Sequence, residues 1–389
     1  GGCLGNYLWN FGEPWEIFPL YDAAAAKAHI RQFLSIDLTR HFLFDPITGA
    51  GDGPHYPVNQ EKIIHLIYFY TVHTGDNAFL HETVAGKTVA EWAVFHALYG
   101  DDPSKPVSLI DYGNGNHHLE LRRQYRYDYI VPDLNARRYT NYVLAARLAR
   151  MAGRNDDYLL ERAAALKTLL RERLWNPSAG WYDLLTPDGK RDTRYTVQMF
   201  KLIASPVLGK EEETALVRHL NEREFLSAYG LHSMSKLDPA YDQVDIDNGG
   251  GGICGSFVSQ IAERLYKARR PREAEDLLSR VLWWGERVPY WGDSFVANQI
   301  DYRKDTPLQS AFDAPAAAQA VLFGMFGISV APDGAITVDP QPSRMSPSIA
   351  LRGVRLRGRV FDVVVEGNGY EVIEGPKRKR ARLGTPATL

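Results

Sequence analysis

Cysteine is nearly missing from this chain: Cys3 and Cys254 are the only two in 389 residues. Two distant cysteines cannot build a disulfide framework, and without a Cys-x-x-Cys pair there is no thiolate metal site. No apolar run approaches about 18 residues, which excludes a membrane-spanning helix. Neither sign of charge dominates, since the formal net charge is −2 with 24% charged residues. That balance gives no field for a nucleic-acid partner. The four glycines 249–252 invite comparison with a phosphate loop, but no Gly-Lys-Ser/Thr follows them and no strand clearly precedes. Cys254 beside them reads as a small buried thiol rather than a nucleophile. The chain opens with neither an initiator Met nor a signal peptide, so an upstream domain of a longer protein is expected before Gly1.

Aromatic residues are plentiful, at 12% with 8 Trp and 21 Tyr. Large amphipathic rings suit both a core and the faces of sugars. Helical spacing dominates up to about residue 328. It predicts helices over 23–41, 58–74, 76–99, 134–151 (capped by Asp133), 156–175, 194–204, 211–220, 256–268, 271–286 and 315–325. No parallel strands intervene, so helices must pack on helices. Long connections (42–57, 100–132, 176–193, 222–255, 287–314) alternate with short ones. The expected fold class is therefore all-α, an (α/α)6 toroid over 1–327 whose long loops gather at one end. After 327 short strands and Pro-Asp-Gly or Gly-Asn-Gly turns predict a small C-terminal β-sheet domain over 328–374. The run Lys377-Arg-Lys-Arg-Ala-Arg382 is expected in a disordered basic tail over 375–389.

Carboxylates, amides, imidazoles and rings concentrate in 108–120, just ahead of the helix at 134. Hydrolysis of a glycosidic bond needs one carboxyl to protonate the leaving oxygen and a second carboxylate opposite, about 6.5–9.5 Å away when a water must fit between. Asp111, flanked by Ile110 and Tyr112, is the first candidate for the acid; equally, it is a turn former. Glu120 is an alternative acid, or a partner of Arg122 or Arg123. Asp293, in Pro289-Tyr-Trp-Gly-Asp293, is the candidate base, with Tyr290 and Trp291 as an aromatic wall. Candidate sugar ligands are Tyr112, Asn114, His117, His118 and Asp247. The aromatic opening 7–16 adds Trp9, Trp15 and Glu16, which either line a subsite or wedge an upstream domain. Adjacent histidines lack the spacing of a helix-borne metal pair, and Asp245 with Asp247 does not match a calcium hand, so no metal and no cofactor is expected. Arg137 and Arg138 are expected to face solvent or to pair with carboxylates.

The passage Ile130-Val-Pro-Asp-Leu-Asn-Ala136, running on to Ala145-Ala-Arg-Leu-Ala-Arg-Met-Ala-Gly153, resembles a motif of six-hairpin glycosidases. The segment Phe225-Leu-Ser-Ala-Tyr-Gly-Leu-His-Ser-Met-Ser235 and the end at Gly324-Met-Phe-Gly-Ile328 resemble the same group, in particular trehalases, processing α-glucosidases and mannosylglycerate hydrolases (glycoside hydrolase families 37 and 63). The resemblance implies an inverting, cofactor-free hydrolase of an α-glycoside, acting on an oligosaccharide or small glycoside. It places the acid in the loop before the 134 helix, where Asp111 stands, and the base near Tyr290-Trp-Gly-Asp293. The group's Ser-Gly-x-Asp-Asn-Ser-Pro is absent here, and its basic Glu is replaced by an Asp one residue later. An α-L-rhamnosidase-like hydrolase on the same scaffold is an alternative. So are a polysaccharide lyase using Tyr112 and the histidines, and a non-catalytic sugar-binding toroid.

Overall fold

The computed structural model describes residues 5–114, 126–244, 250–282, 294–299, 301 and 313–389. Ten of its helices are numbered here: α1 (Leu8–Gly12), α2 (Ala23–Ser35), α3 (Asn59–Thr74), α4 (Val89–Ala97), α5 (Pro132–Met151), α6 (Tyr158–Leu174), α7 (Lys210–Arg218), α8 (Gly255–Lys267), α9 (Pro271–Leu282) and α10 (Asp313–Gln319). None of the described helices is long and apolar enough to cross a membrane.

Local chemistry sets these boundaries. Asp22 caps α2 by accepting from the Ala25 N–H at 2.8 Å. Gly75, at φ +81°, ends α3 in the left-handed conformation that costs glycine least. The helix expected over 76–99 is instead three pieces. Asp76 caps a 3-10 turn over Asn77–His81, a tight hairpin pairs Thr83–Val84 with Lys87–Thr88, and α4 restarts at a Thr88/Glu91 capping box. Likewise 194–204 yields only a 3-10 helix over Val197–Leu202, because Arg191–Thr193 is taken up by pairing with Trp181–Leu185. Asp133 is not a cap. It lies buried in the first turn of α5, which opens with Pro132 after Val131.

Burial sorts the helices into two rings. In α3 14 of 16 residues are buried and in α8 11 of 13. By contrast α2 buries four of 13 and α6 six of 17, the single stripe of a helix with one face to water. Six inner elements follow one another round an axis, each packed on the next: α1, α3, α5, Val197–Leu202, α8 and α10. The ring closes where the Gln319 side chain of α10 accepts hydrogen bonds from the backbone N–H groups of Glu16 and Ile17, at 2.9 and 3.2 Å. Outer helices such as α6 and α9 return along the outside, against α5 and α8 respectively. This is a toroid of helical hairpins, but not a purely α-helical one. Short antiparallel sheets, such as Asn6–Tyr7 with Leu43–Phe44 and Gly51–Asp52, are set into its loops.

The C-terminal domain is a four-stranded antiparallel meander: β1 (Ser348–Leu356), β2 (Arg359–Glu366), β3 (Gly369–Glu374) and β4 (Lys377–Arg382). Its inward residues, among them Phe361, Val363 and Val372, join the core of the ring. The basic segment expected in a disordered tail is β4, and Ala387–Thr388 pairs with Thr337–Val338 in a second small sheet. Arg378 and Arg380 both reach Glu371 across the strand pair, at 2.9 Å each. A charged outer strand satisfies its ladder on one side and discourages pairing on the other, which reconciles the composition with order.

Four buried histidines among the described residues make the fold acid-sensitive. Burial lowers His65 and His232 to about 4 and both His73 and His96 to about 3. The unfolded chain takes up protons below about pH 6.5 that the native chain refuses, so each histidine removes about 1.4 kcal/mol per pH unit on acidification. Burial, opposed by Lys267, raises Glu16 to about 7, which acts in the reverse sense above pH 4.5 and offsets one histidine. Denaturant titrations should therefore show stability falling from pH 6.5 towards 5, with a shallower slope for His96→Gln; identical slopes would contradict this account.

Candidate active site

The inner elements all begin at one end of the ring. Their early residues meet in one layer: Glu61 and Lys62 from α3, Arg137 from α5, Gln198 and Lys201 from Val197–Leu202, and Gln260 from α8. The described parts of the long loops each lead into the start of an inner element, so they arrive above this layer. Loops delivered together onto rigid helix ends are where chemistry is usually placed.

The layer is a buried network of charges. Lys62 Nζ lies 2.8 Å from Glu13 Oε1 and 3.5 Å from Glu61 Oε2. Arg137 forks between Glu61 at 2.7 Å and Gln198 at 2.8 Å, with Asp133 at 3.2 Å. Lys201 stands 3.7 Å from Glu13, and Gln260 donates to the same carboxylate. Burial pushes the Glu13 carboxyl up, but Lys201 and Lys62 outweigh it and hold it below the ordinary range. The same contest leaves Glu61 well below that range, with Arg137 the main opposing charge. Three carboxylates (Glu13, Glu61, Asp133) thus face three cations (Lys62, Arg137, Lys201). Gly12 makes the approach of α1 to α3 possible, since a Cβ there would stand 2.5 Å from Lys62 Cβ.

Above the layer the loop before α5 is tied down. Asn135 accepts from Ile110 N–H at 2.8 Å and donates to Ile110 O at 3.0 Å, while Arg138 holds the Ser108 carbonyl at 2.7 Å. Tyr112 and Tyr129 exchange backbone hydrogen bonds with their neighbours across a short ladder, which continues from Ile130 to Leu185. Side chains alternate along it. Tyr112 points inward beside Glu61, Leu134 and Arg137, and burial raises its hydroxyl far above the usual range. Asp111 points outward, exposed, with one oxygen accepting from the Gly113 N–H at 2.8 Å. Asn114 is exposed and reaches the Tyr129 hydroxyl at 3.2 Å. Deeper in, the fully buried Tyr127 donates to Asp133. Trp9 is half-buried and stacks on Phe257 at 6.4 Å, whose other neighbour is Lys201 at 3.3 Å from the ring. Among the described residues the site therefore offers the exposed Asp111 carboxylate, the Asn114 amide and the Trp9 indole above a rigid polar floor.

Not every residue singled out in the sequence lies here. Trp15 is buried, stacked on His65 at 4.0 Å with Lys62 4.6 Å from its ring centre, so its ring presents no face to a sugar. Glu16 lies below the floor, paired with Lys267 at 2.6 Å, because the turn after Gly12 carries the chain down the axis. Glu120, His117, His118, Asp247, Tyr290, Trp291 and Asp293 lie outside the described residues. Arg137 and Arg138 are buried and paired, not solvent-facing; Arg138 binds Asn135 and Tyr142 besides Ser108. The floor itself was missed. Its one local signal is Asp133 and Arg137 at i and i+4; Glu13, Glu61, Lys62 and Lys201 become legible only once the ring is closed. Among the described residues no group of three His, Cys, Asp or Glu is placed to hold a metal.

With this geometry in place, comparison with known proteins is informative. The family profile described as "Mannosylglycerate hydrolase MGH1-like glycoside hydrolase domain" matches residues 96–252, the part holding Asp111, α5 and the approach to α8. Among solved structures the chain is similar to a sialidase, with TM-score 0.68 and 14% identity over 85% of this chain and 32% of that one. It is similar to the GH63 mannosylglycerate hydrolase from Thermus thermophilus in complex with glucose, with TM-score 0.59 and 14% identity over 82% and 94%. It is also similar to the GH78 family rhamnosidase of Bacillus sp. GL1, with TM-score 0.51 and 17% identity over 87% and 33%. At such identities the likeness shows a shared fold. The chain spans about a third of the sialidase and rhamnosidase chains. No curated protein matches it.

Removing one member of the floor leaves its partners buried without compensation, at a cost of about 3–5 kcal/mol. Glu13→Gln should lose stability on that scale in urea titration, and adding Lys62→Met should recover part of it. Additive losses in the double variant would show that the two charges are not coupled.

Proposed function

We propose that this chain, whose residues 96–252 match a glycoside hydrolase domain profile and whose fold is that of a GH63 enzyme, hydrolyses an α-glycosidic bond with inversion. Asp111 acts as the general acid and Asp293 as the general base. The observation that carries this reading is the placement of Asp111: an exposed carboxyl on a pinned strand above the first turns of α3 and α5. Its anchors are backbone and amide contacts, so its position does not depend on its own charge. A sugar bound over the mouth brings its leaving oxygen against Asp111, where a general acid is needed. The acid gives its proton to the leaving oxygen as the glycosidic C–O bond breaks. Asp293 removes a proton from the water that adds to the anomeric carbon from the opposite face. Trp9 and Asn114 supply a ring face and an amide for the sugar. Glu120, nine residues after Asp111 on the same connection, is the alternative donor.

On a panel of aryl α- and β-glycosides, including a rhamnoside, Asp111→Asn should lower kcat by about 10²-fold or more with the thermal midpoint unchanged. Glu120→Gln should have a lesser effect. Proton NMR of the first product should show the β-anomer from an α-glycoside, with no near-ultraviolet absorbance from an eliminated uronate. A near-normal kcat for Asp111→Asn, paired with a collapse for Glu120→Gln, would transfer the acid role to Glu120.

A further inference from the structure

At the opposite end of the ring a cavity of about 430 Å³ lies between the last turns of the inner helices and the strands that open the β-domain. One wall is a stripe from α3, where His65, Phe69 and His73 recur every four residues on a single face. The stripe is continued by Phe323, stacked on His73 at 5.3 Å. The facing wall is cationic, with Arg264 and Lys267 from α8, Arg147 from α5 and Arg269 just beyond α8. Against these four cations the lining has two carboxylates, Glu16 and Asp339, each already engaged. Lys267 holds Glu16 at 2.6 Å and Glu263 at 2.5 Å, and Arg269 binds Asp339. Arg147 and Arg264 are left over. Among the described residues neither side chain has a hydrogen bond or ion pair. Arg264 stands over the Trp15 ring, 6.0 Å away, and feels Glu16 and Glu263 only through space.

Two guanidinium groups without a direct side-chain partner among the described residues, Arg264 half-buried and Arg147 exposed, make this cavity positive, and their planar donor sets match the oxygens of a phosphate or carboxylate. The remaining lining is amphipathic. Phe69 is half-buried and offers a ring face, while Thr140, Ser329 and Thr337 offer hydroxyls. His73 Nδ1 is buried with no hydrogen-bond partner. The volume falls in the range of small-molecule sites. We propose that this cavity is a second ligand site, separate from the mouth, which takes a monosaccharide bearing a phosphate or carboxylate. The anionic group sits on Arg147 and Arg264, the sugar ring lies against Phe69, and the hydroxyls meet the polar lining. Glu16, raised to about 7, loses part of its own charge near neutrality and so competes less with the incoming anion. The floor network stands between this site and the mouth, so the two can be tested apart.

Titration calorimetry on the full chain tests the site with glucose 6-phosphate, glucuronate, glucose and inorganic phosphate as probes. Glucose 6-phosphate or glucuronate, whichever carries the preferred anion, should bind at least about tenfold more tightly than glucose and than inorganic phosphate. Arg147→Ala, an exposed side chain whose loss leaves the fold intact, and Arg264→Gln should each weaken that binding about tenfold or more. Arg264→Lys should weaken it less, and Asp111→Asn should leave it unchanged. Four outcomes would overturn the proposal: no binding by any probe, unchanged affinity in both arginine variants, loss of binding in Asp111→Asn, or inorganic phosphate binding as tightly as the sugar anions.

Discussion

The structure rests on a balanced layer of charge sealed inside a ring of helices. A lone buried carboxylate or ammonium would neutralise itself or unfold its surroundings, so ions at the axis persist only as a matched set. Among the described residues three carboxylates meet three cations, and they come from the residue after α1, from α3 and α5, and from the 3-10 helix Val197–Leu202. Hydrophobic contacts tolerate small slips between helices, whereas a fork such as Arg137 between Glu61 and Gln198 does not. The layer therefore fixes the relative height of the inner elements, and through them the loops above.

The mouth inherits that rigidity in a second step. Asn135 and Arg138 stand on the same turns of α5 as Asp133 and Arg137, and they clamp the backbone at Ile110 and Ser108. One short stretch of helix thus faces the floor on one side and grips the strand that carries Asp111 on the other. The ladder from Tyr112 through Tyr129 and Ile130 to Leu185 spreads this hold across neighbouring hairpins. Such a support positions a reacting group without making it part of the core.

How much of this was legible depended on the range of the interaction. Stretches such as 58–74 and 134–151 could be read because an inner helix still carries apolar residues at helical spacing and ends at Gly75 or Gly153. The break inside 76–99 was signalled by Thr88 and Glu91, a capping box three residues apart, but the surrounding pattern suited a continuous helix. Asp111 was legible as a loop carboxylate, because that reading needs only its neighbours. The floor was not, since Glu61 and Arg137 are 76 residues apart and nothing local marks them as partners. Glu16 and Trp15 were misplaced for a related reason: composition places aromatics and carboxylates in a sugar site as readily as under one. The segment 377–382 shows the converse error. Uniform charge suggested a tail, yet every second residue needs only a cross-strand partner, and Glu371 provides it.

The closure at Gln319 also bears on biosynthesis. It joins backbone groups 303 residues away, near the other terminus of the described ring. A ribosome delivers α1 well before α10, so throughout synthesis of the intervening ring the Glu13 and Glu16 carboxylates wait beside an open seam. Contacts of such sequence separation form slowly once both partners exist. Until they do, the half-built wheel exposes the apolar flanks of α3 and α8 to the cytosol or lumen in which it is made, and holdase chaperones should find it at that stage.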